Sequence, residues 1–198
     1  MHAAGKIDFD QLAILARKAQ TGDSAAYASF LEEIYPFVEM IIRSKLGPVV
    51  DVDDVTQVCL LGVHKSLSSY HPSRRIQPWI QAIIRYKIAD YFRARARRSE
   101  VTLSEQTPDV TTSAAEPNIY AQGRPDDRAN IKDLVMRLPD PLRQAVVLTK
   151  LNGMSSKEAA RKEGISEAAL RKRVSRAYSK LATLVDQEWD TETRRGAG

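Results

Sequence analysis

The run RKRVSR, from Arg171 to Arg176, crowds four cationic side chains and one hydroxyl into a short stretch. Cations at that density bind polyanions. Each Lys or Arg that meets a phosphate releases condensed counterions, and an Arg fork can pair bidentately with the major-groove edge of guanine. A second cationic run carries Arg85, Lys87, Arg93, Arg95, Arg97 and Arg98 against Asp90, with Trp79, Tyr86, Tyr91 and Phe92 interleaved. Aromatics beside cations suit unpaired bases, which offer a face to stack on and a phosphate to neutralise. Asp51, Asp53 and Asp54 are a third group, and their chemistry is either divalent-metal ligation or helix capping. The nearby sequence offers no facing acids to complete a two-metal set, so capping is expected. His2, His64 and His71 have no Cys or paired His at ligand spacing, and Cys59 sits in the apolar run VCLLGV. No metal, cofactor or catalytic residue is expected, and the chain does not read as an enzyme.

Helices must position these groups. Ser155 with Glu158 three residues on is a capping box, which starts a helix. Asn152-Gly153 stops the helix before it, Gly164 closes it, and Ser166 caps the next one. Two helices joined by a tight Gly-bearing turn make a helix-turn-helix. On the second of them Leu170, Val174, Ala177, Tyr178 and Leu181 recur at helical spacing as a buried stripe, leaving Arg171, Lys172, Arg173, Ser175 and Arg176 mostly outside it. Nearer the N-terminus, Leu12, Ala13, Leu15 and Ala16 mark a first helix that Thr21-Gly22-Asp23 ends. A long second helix then runs from Tyr27 through Ile42 to the break at Leu46-Gly47-Pro48. Past Tyr70-His71-Pro72, the residues Ile76, Trp79, Ile80, Ile83, Ile84, Ile88 and Tyr91 form another core-facing stripe. Trp79, Tyr91 and Phe92 therefore also read as core, while Tyr70, His71 and Tyr86 are the candidates for stacking on bases.

Charge divides the 198 residues into blocks. Lys and Arg number 14 against 10 acids over 1–98, 1 against 6 over 99–127, and 15 against 9 over 128–198, for a net +5. The acidic block is rich in Ser, Thr and Pro, with apolar residues too scattered to form a stripe, and reads as a flexible linker. The expected architecture is all-α: small helical domains over 9–98 and 128–185, joined by an acidic linker over 99–127. No run of eighteen apolar residues and no signal-peptide pattern occurs, so a soluble, cytoplasmic protein without membrane insertion is expected. The tail VDQEWDTETRRGAG holds a lone Trp189 among acids, which reads either as packing on the last helix, the favoured role, or as a docking point for a partner.

Two stretches together resemble the extracytoplasmic-function sigma factors of the sigma-70 family. They are DVDDVTQVCLLGVHKSL with PWIQAIIRYKIADYFRARARR, and LPDPLRQAVVLTKLNGMSSKEAARKEGISEAALRKRVSRAYSKL. The resemblance implies that Asp51, Asp54, Gln57 and Leu61 dock on the clamp helices of core RNA polymerase. It places Trp79, Ile83, Arg85, Asp90 and Arg93 on the helix that reads and opens the minus-ten element, with Tyr86 among the base contacts there and the loop Tyr70–Gln77, which carries His71, Arg74 and Arg75, bordering the flipped-base pocket. Arg171, Lys172, Arg173, Ser175 and Arg176 would face the minus-thirty-five element, with Ser156 and Lys157 on its backbone. Core RNA polymerase, promoter DNA and an anti-sigma factor are the implied partners. His64 and Tyr86 depart from the Trp and Asn usual at those positions.

One helix-turn-helix buries about 600–1,000 Å² on DNA and binds weakly alone. If the two modules sit about 70 Å apart on promoter DNA, a 29-residue tether reaches when extended to about 100 Å but averages about 30 Å as a coil. A partner must hold them apart, and polymerase does so in the resembled family. An ordinary helix-turn-helix regulator with a sensing or dimerising N-terminal domain is the alternative; it predicts a symmetric operator. A nuclease using Asp51, Asp53 and Asp54 would instead need magnesium.

Overall fold

The structure is a computed structural model that describes residues 7–104 and 134–195, with side chains described at all of these except 48, 100–104 and 188–195. Every regular element among the described residues is helical. Helix α1 spans Phe9–Gln20 and starts where Asp8 accepts from the N–H groups of Asp10 and Gln11 at 3.0 and 3.1 Å. Gly22, at φ 94°, then reverses the chain where a side chain would strain it. Helix α2, Ser24–Leu46, is capped by Asp23 and runs through Pro36, which removes one helical donor. A 3₁₀ turn over Gly47–Val49 leads to α3, Val52–Ser66. Asp51 accepts from the N–H groups of Asp53 and Asp54 at 3.1 and 3.2 Å, so it caps this helix.

A second 3₁₀ turn, Leu67–Ser69, and an exposed loop lead to α4, Ile76–Ser104, which runs past the boundary expected at residue 98. Ile76, Ile80, Ile84 and Ile88 are buried at four-residue spacing and are joined by Phe92 and Ala96. They meet Phe30, Ile34, Val38 and Ile42 of α2 and Val55, Cys59 and Val63 of α3 in one apolar cluster. Gly62 lets α3 and α4 cross closely: a Cβ there would lie 2.8 Å from Lys87 Cε.

The C-terminal segment begins with a helical turn at 134–136 and continues in α5, Asp140–Val146, extended by a π turn over Val147–Leu151. Helix α6, Ser156–Glu163, and α7, Glu167–Arg195, follow. Between them Gly164 adopts the left-handed conformation, φ 66° and ψ 30°, as a helix stop requires of a residue without a side chain. A small cluster of Ala145, Leu148, Ala159, Ala160 and Leu170 holds the helix-turn-helix together.

Beyond Leu170, α7 turns its apolar stripe onto α4. Ala177, Tyr178, Leu181, Ala182, Leu184 and Val185 belong to the same cluster as Phe92, Ala96 and Leu46. Phe92 and Tyr178 stack at 6.0 Å between ring centroids, and Arg93 Nη2 meets Asp186 Oδ2 at 2.7 Å. The segments expected as two domains therefore share a core. The linker expected over 99–127 lies outside the described residues from 105 onward, and so does the side chain of Trp189.

Candidate nucleic-acid interface

The capping box at α6 is fully formed. Glu158 N–H donates to Ser155 Oγ at 3.3 Å, while Ser155 N–H and Oγ–H donate to the Glu158 carboxylate at 2.9 and 2.7 Å. These donors hold the Glu158 carboxyl below its usual pKa. Ser156 and Lys157 occupy the first turn of α6, half-buried and exposed respectively. Ala169 N–H donates to Ser166 Oγ at 3.2 Å, which caps α7 and fixes where its basic face begins.

On that face Lys172 and Arg176 are exposed. Arg171 pairs with Glu167 one turn back, and Arg173 reaches Glu163 of α6 at 3.4 Å. Both guanidiniums are thus oriented before any ligand arrives. Ser175 stands apart from them. It is fully buried, and its Oγ–H donates to the carbonyl of Ala96 at 3.2 Å. Its expected place facing DNA is occupied here by α4.

The loop before α4 exposes His71, Arg74 and Arg75. Tyr70, expected among the base-stacking candidates, is instead 3% exposed. Its ring lies 5.2 Å from Trp79, its hydroxyl donates to the carbonyl of Arg74 at 2.9 Å, and burial raises its pKa. A ring in that position supports the loop from beneath. Trp79 is half-buried, as an aromatic serving both core and surface must be. Tyr86 is 59% exposed beside Lys87, whose Nζ lies 5.6 Å from the ring centroid. Arg85 is half-buried on the same helix. Arg93 is engaged by Asp90 at 3.1 Å as well as by Asp186.

On α3, Asp54, Gln57, Val58 and Leu61 are exposed at the spacing of one helix face, and Leu61 is 58% exposed. Val58 and Leu61 are thus apolar side chains exposed among polar neighbours on α3. Tyr35 of α2, exposed and within the electrostatic reach of Asp53, lies near the start of this helix, and burial followed by Glu39 and Asp53 raises its pKa. His64, exposed, shares a hydrogen bond between Nδ1 and Tyr27 Oη at 2.8 Å.

One contributor carried no sequence signal. Gln20, the last residue of α1, donates from Nε2 to the carbonyls of both Leu67 and Tyr70, each at 2.8 Å. Its partners lie 47 and 50 residues away, beyond the range of any local pattern.

A capped helix-turn-helix with a cationic face and a separate basic loop and helix lined by aromatics have the make-up of a protein that binds nucleic acid through two unlike surfaces. Residues 30–98 match the family described as Sigma-70 region 2, and residues 128–181 match Sigma-70, region 4. The chain is 31% identical over 173 residues to the ECF RNA polymerase sigma factor SigF of Caulobacter vibrioides, across 87% of this chain and 92% of that one. It is 33% identical over 138 residues to the RNA polymerase sigma factor SigZ of Bacillus subtilis, across 68% and 73% of the two chains. Among solved structures it is similar to CnrH in complex with the cytosolic domain of CnrY, with 26% identity, 90% and 99% coverage and a TM-score of 0.40. The sigma factor RpoE in complex with the anti-sigma factor NepR from Bartonella quintana aligns at 21% identity over 81% and 96% of the chains, with a TM-score of 0.36. The chain belongs to the sigma-70 family, in its extracytoplasmic-function group: it is an RNA polymerase sigma factor, a partner of core polymerase and promoter DNA.

Proposed function

We propose that the three surfaces divide the work of initiation. Lys172 and Arg176, with Arg171 and Arg173 oriented by their acidic neighbours, face the minus-thirty-five element, while Ser156 and Lys157 hold its backbone. His71, Arg74 and Arg75 with Trp79, Arg85, Tyr86 and Arg93 face the minus-ten element. Asp54, Gln57 and Leu61, with Asp51 capping their helix and Val58 between them, dock on the polymerase clamp. The protein works in the cytoplasm without catalytic chemistry of its own, and an anti-sigma protein controls it, as membership in the group implies.

The observation that carries this reading is the exposure of Lys172 and Arg176 on α7 and of Arg74 and Arg75 before α4, two cationic faces in one chain. A consequence follows from the packing of α7 on α4. Ser175 and Arg93, both assigned to DNA, are held between the helices, with Phe92 and Tyr178 stacked beside them. Two promoter elements about two turns of duplex apart, on the order of 70 Å, cannot be read from touching helices. The packed form is therefore the resting form, and polymerase separates the modules. Melting about ten base pairs costs on the order of 14 kcal/mol, far above the roughly 1–3 kcal/mol that stacking one extruded base returns, so the holoenzyme must supply the rest.

The test is run-off transcription with core polymerase on a genomic promoter library. The reading expects specific transcripts only when the protein is present, and loss of them when Lys172 and Arg176 are both replaced by Ala. Transcripts unaffected by that change would overturn the assignment of α7.

A further inference from the structure

We infer that Gln20 is a positioning residue for promoter opening: from the end of α1 it fixes the loop that presents Arg74 and Arg75. The inference rests on the assignment of that loop to the minus-ten element. Where α3 gives way to its 3₁₀ turn, Leu67 O accepts from Tyr70 N–H at 3.1 Å and has a second lone pair to offer, while Tyr70 O lies past the end of the turn. The Gln20 amide carries two N–H groups, and its nitrogen meets the carbonyls at both ends of the turn, Leu67 and Tyr70, at 2.8 Å each. Tyr70 passes the constraint on. Its backbone is held by Gln20, its ring lies against Trp79, and its hydroxyl grips the Arg74 carbonyl at 2.9 Å. Arg74 N–H in turn donates to His71 O at 2.9 Å, and His71 Nδ1 shares a bond with Ser73 Oγ at 2.7 Å.

Both feet of the arch from Tyr70 to Arg74 are therefore tied, while His71, Pro72, Ser73, Arg74 and Arg75 are exposed along its crown. A loop held in shape before binding avoids the ordering cost that a mobile loop meets on contact with its ligand. Gln20 touches no DNA in this scheme. It acts through the backbone of the loop, from a helix that the family match, which begins at residue 30, does not include.

The experiment compares holoenzymes carrying wild-type protein, Gln20→Glu, Gln20→Lys, and the double variant Arg74→Ala/Arg75→Ala. The template is the strongest promoter returned by the run-off screen, and duplex opening is followed by permanganate reactivity of minus-ten thymines. Gln20→Glu keeps the shape but removes the donors and faces two carbonyls with a carboxylate. Gln20→Lys retains a donor. The expected result is a roughly ten-fold slower opening for Gln20→Glu, equivalent to about 1.4 kcal/mol and within the reach of two hydrogen bonds. Core affinity stays at the wild-type value, the thermal midpoint of Gln20→Glu falls by only about a few degrees so that the protein is folded in the assay, amide exchange across residues 71–75 accelerates, and Gln20→Lys recovers most of the rate. If Gln20→Glu opens the promoter at the wild-type rate, or if both variants lose opening only in proportion to a lowered thermal midpoint, Gln20 has no positioning role. Should the double arginine variant open normally, the loop does not serve the minus-ten element, and the underlying assignment fails instead.

Discussion

Ser175→Asp should drive the two modules apart. In the resting form the Ser175 hydroxyl is sealed between α7 and α4 and bonded to the Ala96 carbonyl. A carboxylate there would lose its water and face an oxygen with no donor to offer. An unpaired buried charge costs several kcal/mol even after relaxation, whereas Ser175→Ala forfeits one hydrogen bond, about 0.5–1.5 kcal/mol. Separation of α7 from α4 relieves the charge, so Ser175→Asp should open and Ser175→Ala should stay closed. Single-molecule energy transfer between dyes on Cys introduced at Ala82 of α4 and Lys162 of α6 reads the difference, since both positions are exposed. Native Cys59 will not compete for the dyes, because it is buried and burial pushes its thiol pKa up to about 12. The introduced carboxyl also gives a signature in pH. Burial raises its pKa in the closed form, so closure is lost as pH rises through that raised value and returns on acidification, when the neutral acid can donate to Ala96 O. Equal transfer efficiency for Ser175→Asp and wild type at pH 7 would refute the packed resting form.

Other consequences are simpler to read. Ser155→Ala removes the α6 cap and should lower stability by about 1 kcal/mol, seen as a lower thermal midpoint. Because the folded Glu158 pKa is depressed, its contribution is present above the unfolded carboxylate value and fades as pH falls through the folded one. The wild-type midpoint should therefore fall more steeply on acidification than that of Ser155→Ala. Arg176→Ala should weaken holoenzyme binding to promoter and to unrelated duplex, and lower the salt dependence by about one counterion, as measured by titration at several salt concentrations. Leu61→Asp should abolish co-elution with core polymerase on size exclusion while leaving the far-ultraviolet helical signal unchanged, since the side chain is more than half exposed.

What the sequence disclosed was whatever is encoded within a turn or two of helix. Asp51, Ser155 and Ser166 each bond to N–H groups two or three residues ahead, and each cap stands where its residue type implied. Gly164 stops α6 because only glycine takes φ 66° without strain. The stripe from Leu170 to Leu181 was equally legible as a buried face. Its partner was not, because periodicity says which side of a helix is covered and nothing about what covers it. Ser175 shows the cost of that gap: a small polar residue between Arg173 and Arg176 looks like part of the solvent face, yet it lies against α4. Tyr70 misled for a related reason, since an aromatic at the edge of a basic loop fits a stacking platform and a buried support equally well. Gln20 was out of reach altogether, since its bonds span about fifty residues and no motif marks them.

On the function proposed above, this chain recognises a promoter only as a subunit of polymerase, with its cationic faces held apart by that enzyme. Binding of one fluorescent promoter duplex at physiological salt, by the protein alone and again with core polymerase added, tests it directly. Weak, sequence-indifferent binding by the protein alone and tight, sequence-specific binding once core is present are expected. Sequence-specific nanomolar binding by the free protein, or no gain on adding core, would contradict it.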